Sequence, residues 1–317
     1  MKQQHHKNHK RLSGKHKLIF KKRLMHYTSH ITHHGFTLVE LMIAVVIGMI
    51  IIGATYVTYI SQQNSFTTQD QVAEINSSSK IALDMISNDI RETGFGLPDD
   101  LRTIQRNDDC QGINGYLQNI TLMNRDNDTD EITILGGFRL IGNTIDDVNR
   151  GSTTLKLTNT EKLNTSDRSY ISFAGLGFAI VMDIEENKIT LHNSTPTNRS
   201  YPAGTPVYLV ENITYQVVNR KLQKVRRLNI GNCGTNPDID VIAENIDDFQ
   251  IAEIDSNDNG ITDRIRINLL ARVPLPDPNF KGQGNPPPQI EDRKHTQTND
   301  SFRRRWWQIE VNLRNQI

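Results

Sequence analysis

Between Leu41 and Gln69 the chain runs for 29 residues without a charged side chain, and the last charge before that stretch is Glu40. Phe36–Ile60, the apolar part, is 25 residues long. That is roughly 37 Å as an α-helix, enough to cross a bilayer with some tilt. Carrying a carboxylate into hydrocarbon costs about 2.5–3.5 kcal/mol or more, so Glu40 needs a partner. A free amino terminus would serve, and cleavage between Gly35 and Phe36 would create one. An ordinary secretory signal instead loses its apolar region at a small-residue site beyond it. No such site follows Ile60, where the chain continues Ser61-Gln62-Gln63-Asn64.

Gly35-Phe36-Thr37-Leu38-Val39-Glu40-Leu41 resembles the class III signal of type IV prepilins, with no departure from its core. The resemblance implies that a prepilin peptidase cuts between Gly35 and Phe36 and methylates the new Phe36 amine. The apolar helix then stays in the mature protein. Glu40 attracts the amino terminus of a neighbouring subunit, pairing two otherwise buried charges and setting axial register. The fold implied is α+β, the type IV pilin fold: a long N-terminal helix packed on an antiparallel β-sheet head.

Residues 1–35 contain seven Lys, two Arg and eight of the ten His, with no Asp or Glu. They read as a basic leader that holds the amino end in the cytoplasm and the head in the periplasm. Met25 is an alternative start, but a leader from Met25 would contain no Lys or Arg and would weaken that signal. The whole chain balances 36 basic against 36 acidic residues. Losing the leader's nine basic residues leaves a formal charge of about −9. A net acidic product argues against general nucleic-acid binding, which needs a basic surface.

Gly48 and Gly53 lie within the apolar segment, where glycine permits close approach of neighbouring backbones or local loosening of the helix. Beyond Ile60, Val72, Ile75, Ala82, Met85, Ile86 and Ile90 recur mostly at helical spacing. No Pro precedes Pro98, and Gly94-Phe95-Gly96-Leu97-Pro98 is a stop signal. The expected organisation is an apolar half (36–60), an amphipathic half (61–93) and a β-rich head (94–317). In the head, strands are expected at Glu131–Leu140, Thr153–Thr158, Tyr170–Phe173, Phe178–Ile184 and Ile189–His192. Further strands are expected at Val207–Val218, Ile239–Ile254, Ile261–Val273 and Trp306–Leu313. Glu185-Glu186-Asn187-Lys188 marks a hairpin.

Cys110 and Cys233 are the only cysteines. On the periplasmic side an oxidised pair is permitted, and a structural disulfide is expected; a redox thiol lacks C-x-x-C spacing. Asp255, Asn257, Asn259 and Asp263 place oxygens at positions 1, 3, 5 and 9 of a loop with Gly260 at position 6, as in compact calcium loops. Arg266 stands where a calcium loop has its bidentate Glu, so calcium competes with a simple Asn259-Gly260 hairpin turn. Pro274–Asp300 contains six Pro and is expected to be an exposed, mobile loop. Arg303-Arg304-Arg305-Trp306-Trp307 offers either a nucleic-acid or headgroup contact, or a strand anchor whose arginines pair with acids.

Val210-Glu211-Asn212-Ile213, Val241–Gln250 and the ending Glu310–Asn315 resemble the head of PilW-type minor pilins. That resemblance implies a subunit that primes or supports type IV pilus assembly and can sit at the filament tip. Its partners would be the peptidase, the major pilin, other minor pilins and the inner-membrane assembly platform. The related pseudopilin J of type II secretion shares signal and architecture, and an adhesive or DNA-capturing tip module is a third reading. No Walker loop or H-E-x-x-H occurs, and outside the leader only His192 and His295 remain as histidine bases, so an enzyme is not expected.

Overall fold

A computed structural model describes residues 35–97, 120–126, 128–163, 169–193, 197–227, 237–258, 260, 262–277, 279–280, 289–295 and 300–314. The chain forms two units, residues 1–58 and 59–317. One helix, α1 (Leu38–Glu92), enters both. Among the described residues it is the one helix long and apolar enough to cross a membrane. In the first unit its apolar side chains, from Leu38 through Val57, are exposed on every face. A helix apolar all round has no polar face to turn to water, so it belongs in lipid or among other helices.

The second unit begins inside the helix and contains all the described strands. There α1 buries Ile75, Ser79, Ala82, Leu83, Ile86, Ser87 and Ile90. This is a stripe at spacings of three and four, close to the one expected, with Leu83 added and Val72 and Met85 only half-buried. The helix ends by tightening: Thr93 N–H donates to the Ile90 carbonyl and Phe95 N–H to the Glu92 carbonyl. Gly94 N–H then donates to Leu135 O, and Gly137 N–H to Phe95 O, tying the exit to the sheet. Gly96 has φ 79° and lies against Ser172, whose Oγ would stand 2.6 Å from an added Cβ, so only glycine fits.

The larger sheet comprises β1 (Ile120–Met123), β2 (Glu131–Asn143), β3 (Thr154–Lys156), β4 (Tyr170–Phe173), β5 (Gly177–Glu185), β6 (Lys188–Leu191), β7 (Pro206–Val218), β8 (Lys221–Arg227) and β9 (Asp238–Glu244). Its order is β1-β2-β7-β4-β5-β6-β3, with β8 on β7 and β9 on β8; every pairing is antiparallel. A second sheet has the order β10 (Ile246–Ile254), β11 (Arg264–Arg272), β14 (Arg304–Asn312), also antiparallel. A short hairpin joins β12 (Gln289–Ile290) to β13 (Arg293–Lys294).

The main core lies where the helix meets both sheets. Ala82, Leu83, Ile86 and Ile90 pack with Ile132, Ile134, Ile213 and Tyr215 of the larger sheet and with Phe249, Ile251, Ile265, Ile267, Leu269 and Val311 of the second. A separate cluster around Leu157, Ile171, Phe173, Ile189, Val207 and Leu209 fills the other end of the larger sheet without help from the helix. The fold is α+β and type IV pilin-like, as expected.

Three expectations change. Ile239–Ile254 is two strands: Asn245, at φ 62°, breaks the run and sends β9 and β10 to different sheets. The strand β8 is additional to those expected, because Lys221, Lys224, Arg226 and Arg227 mask its two buried apolar residues, Leu222 and Val225. Third, the described parts of Pro274–Asp300 are docked rather than loose. Asp277 accepts from Arg303 Nε at 2.8 Å, Ile290 is buried, and residues 289–295 cover the outer face of the second sheet.

Candidate processing and assembly site

Thr37 precedes the first helical residue and Glu40 stands three positions on, the S/T-x-x-E pattern of a capping box. Both halves form. Thr37 N–H and Oγ1 donate to Glu40 Oε2 at 2.9 and 3.0 Å, and Glu40 N–H donates to Thr37 Oγ1 at 3.2 Å. The carboxylate is thereby held over the helix N-terminus, beside Phe36, with its side chain at the surface. Phe36 itself is 87% exposed.

A Cβ built at Gly35, Gly48 or Gly53 meets nothing within 4 Å. Among the described residues, none of these glycines is required by packing.

Cys110, Cys233 and Asn259 lie outside the described residues. In the loop between β10 and β11, Asp255 accepts from Asn257 N–H at 3.1 Å and from Gly260 N–H at 2.5 Å. Asp263 accepts from both the N–H and the hydroxyl of Ser256, and these bonds hold its carboxyl below the usual carboxylate range. The two carboxylates thus form the turn themselves, and the calcium expectation rests on sequence spacing alone. Asn257 is exposed at the loop tip.

The Arg-Trp run divides as a strand anchor does. Arg303 pairs with Asp277, Arg304 with Asp247 and Asp300, and Trp306 Nε1 donates to Asn268 at 3.1 Å. Trp307 packs against the main core.

Sequence reasoning missed three carboxylates that fasten the head together, Asp89 half-buried and Glu211 and Asp248 buried. Asp89, near the end of α1, accepts from both Lys224 of β8 and Tyr215 of β7. Burial, then the nearby Asp89 charge, pushes the Tyr215 phenol far up, so it remains a donor. Glu211 of β7 pairs with Arg139 at 2.8 Å, and burial raises its carboxyl despite that arginine. Asp248 of β10 accepts from Arg293, from Gln250 Nε2 at 2.9 Å and from His295 Nε2 at 2.7 Å, pinning residues 289–295 to the sheet. An acidic residue within a helix or strand of the core was the available signal, but the basic partners lie 45 to 135 positions away.

The prokaryotic N-terminal methylation motif matches residues 32–56. No curated protein and no solved structure matches the chain. The chain therefore carries the prepilin-type signal that defines type IV pilins and pseudopilins. That signal implies processing by a prepilin peptidase and assembly with other pilins.

Proposed function

We propose that this protein is a minor pilin of the PilW kind that primes or supports type IV pilus assembly, with its place at the filament tip. The observation that carries the reading is the start of α1: an apolar surface exposed on every face, headed by a carboxylate at the first turn. The peptidase cuts between Gly35 and Phe36 and methylates the Phe36 amine. Glu40, already poised over that end of the helix, meets the amine of a neighbouring subunit as the helices bundle, so that neither charge enters an apolar environment alone. The head stays in the periplasm and selects partners among the major and minor pilins. In that compartment Cys110 and Cys233 form a disulfide, which mass spectrometry of unreduced peptides would detect.

Deletion of the gene tests the function. Loss of surface filaments by electron microscopy, in both normal and retraction-deficient cells, is the expected result. Normal filaments combined with defective protein secretion would transfer the chain to the pseudopilins. Normal filaments that fail to adhere or take up DNA would make it a tip binding module. Glu40→Ala should be cleaved normally yet fail to enter filaments, and normal incorporation would remove the pairing role.

A further inference from the structure

Two hydrogen bonds beyond the ends of β14 fix which of its backbone groups face outward. Val273 N–H donates to Arg303 O, and Leu313 N–H donates to Asp263 O. Both belong to the same register as the β11–β14 ladder, in which Leu269 faces Trp307 and Ile267 faces Ile309. Hydrogen-bonded pairs alternate along an antiparallel ladder. The odd-numbered residues of β14 therefore bond to β11, and Trp306, Gln308, Glu310 and Asn312 turn their N–H and C=O groups away from it. Among the described residues nothing meets those groups.

The other long edges are protected. On β10, Asp130 N–H donates to Phe249 O and its carboxylate accepts from Ile251 N–H. The β9 edge has a register irregularity against β8 and three carboxylates, Asp238, Asp240 and Glu244. Bulges and charges are how sheet edges are kept from pairing. In contrast, β14 is nine residues long and keeps a regular register throughout. Its centre, Trp306-Trp307-Gln308-Ile309, carries no charge.

Side chains at the edge say what would pair there. Trp307, Ile309 and Leu313 face the main core but are only partly covered. Arg305, on the same face, has no carboxylate partner among the described residues; its guanidinium lies 5.9 Å from the Trp307 ring. We propose that β14 accepts an extended strand from a neighbouring pilin-type subunit, with apolar side chains opposite Ile309 and Trp307 and a carboxylate opposite Arg305. This is strand addition, with affinity from the main chain and selectivity from alternate side chains. The choice of partner rests on the assembly reading above; the strand-accepting edge does not.

The test uses the full chain in detergent micelles and a fluorescent peptide, Thr-Val-Thr-Val-Thr-Glu-Thr, antiparallel to β14. Binding is read by anisotropy. Gln308→Pro removes only an outward N–H and leaves the β11 ladder whole, as edge prolines do. It should weaken binding by about tenfold. N-methylation of the central-facing third residue of the peptide should do the same with no change to the protein, whereas N-methylation of the second residue should not. Lys in place of the peptide's Glu should also weaken binding. Absence of binding to the unaltered chain, or equal binding by both N-methylated peptides, would overturn the edge. A chain that is dimeric, and becomes monomeric on Gln308→Pro, would replace the neighbour by a second copy and overturn the proposed occupant. In cells Gln308→Pro should be processed and inserted normally but lose incorporation into filaments; full incorporation would also overturn that occupant. A filament-independent deletion phenotype would refute the assembly function while leaving peptide binding intact, so the two failures are distinguishable.

Discussion

Asp89→Ala is expected to destabilise the head by about 3 kcal/mol. The side chains of Lys224 and Asp89 are 9% and 17% exposed. Removing one partner of a buried ion pair costs about 3–5 kcal/mol, because the other charge stays buried and unpaired. The residual exposure of Asp89 lets water reach the gap, which places the cost at the lower end. Tyr215 loses its acceptor as well, and a hydrogen bond to a charged group contributes about 1.5–3 kcal/mol in general, part of which water would restore here. The assay is urea unfolding of a fragment starting at Tyr59, where the second unit begins. Circular dichroism would follow the whole fragment. Fluorescence would follow the second sheet, since Trp306 and Trp307 are the only tryptophans. Lys224→Met in the Asp89→Ala background removes the stranded ammonium and should recover about 2 kcal/mol. A loss below about 1 kcal/mol for Asp89→Ala, or strictly additive effects in the double variant, would refute the clamp.

Ile86, fully buried between helix and sheets, should cost about 3–4 kcal/mol on truncation to Ala, measured in the same unfolding experiment. Glu211 gives a pH prediction. Its folded carboxyl is raised by burial, so the folded state holds a proton that the unfolded state has released. Stability should therefore fall as pH rises from the ordinary carboxylate value of about 4.3 towards the raised one. Glu211→Gln should flatten that slope in melting profiles, leaving the contribution of Asp130, which burial raises in the same direction. Parallel profiles would count against it. Asp248→Ala strips Arg293 and His295 of their shared acceptor and should make residues 289–295 more susceptible to limited proteolysis, while the strands of the larger sheet stay protected. Asp263→Ala should lower the melting temperature modestly and equally with or without added calcium, because the carboxylate's role is to hold the Ser256 turn. A calcium-dependent difference would restore the metal reading.

The parts of this protein governed by local chemistry are legible in the sequence. An uncharged apolar run behind Glu40 specifies a membrane-capable helix whatever the rest of the chain does, and Thr37 with Glu40 specifies its cap. Helical spacing from Ile75 to Ile90 named the buried stripe, and the glycines after Glu92 named its end. Alternation found most of the strands, because one face of each is apolar. Tertiary structure decided the rest, since its determinants are distant in sequence. No local pattern shows that the run from Ile239 to Ile254 divides between two sheets at Asn245. The basic residues that hide β8 make sense only once Lys224 meets Asp89, 135 positions away. Proline and polar composition alone would leave residues 289–295 loose. Their docking depends on Asp248, a carboxylate that is tolerable in the interior only because Arg293 and His295 return to meet it. Buried polar groups need partners, and which partners they find is a property of the folded chain rather than of any segment of it.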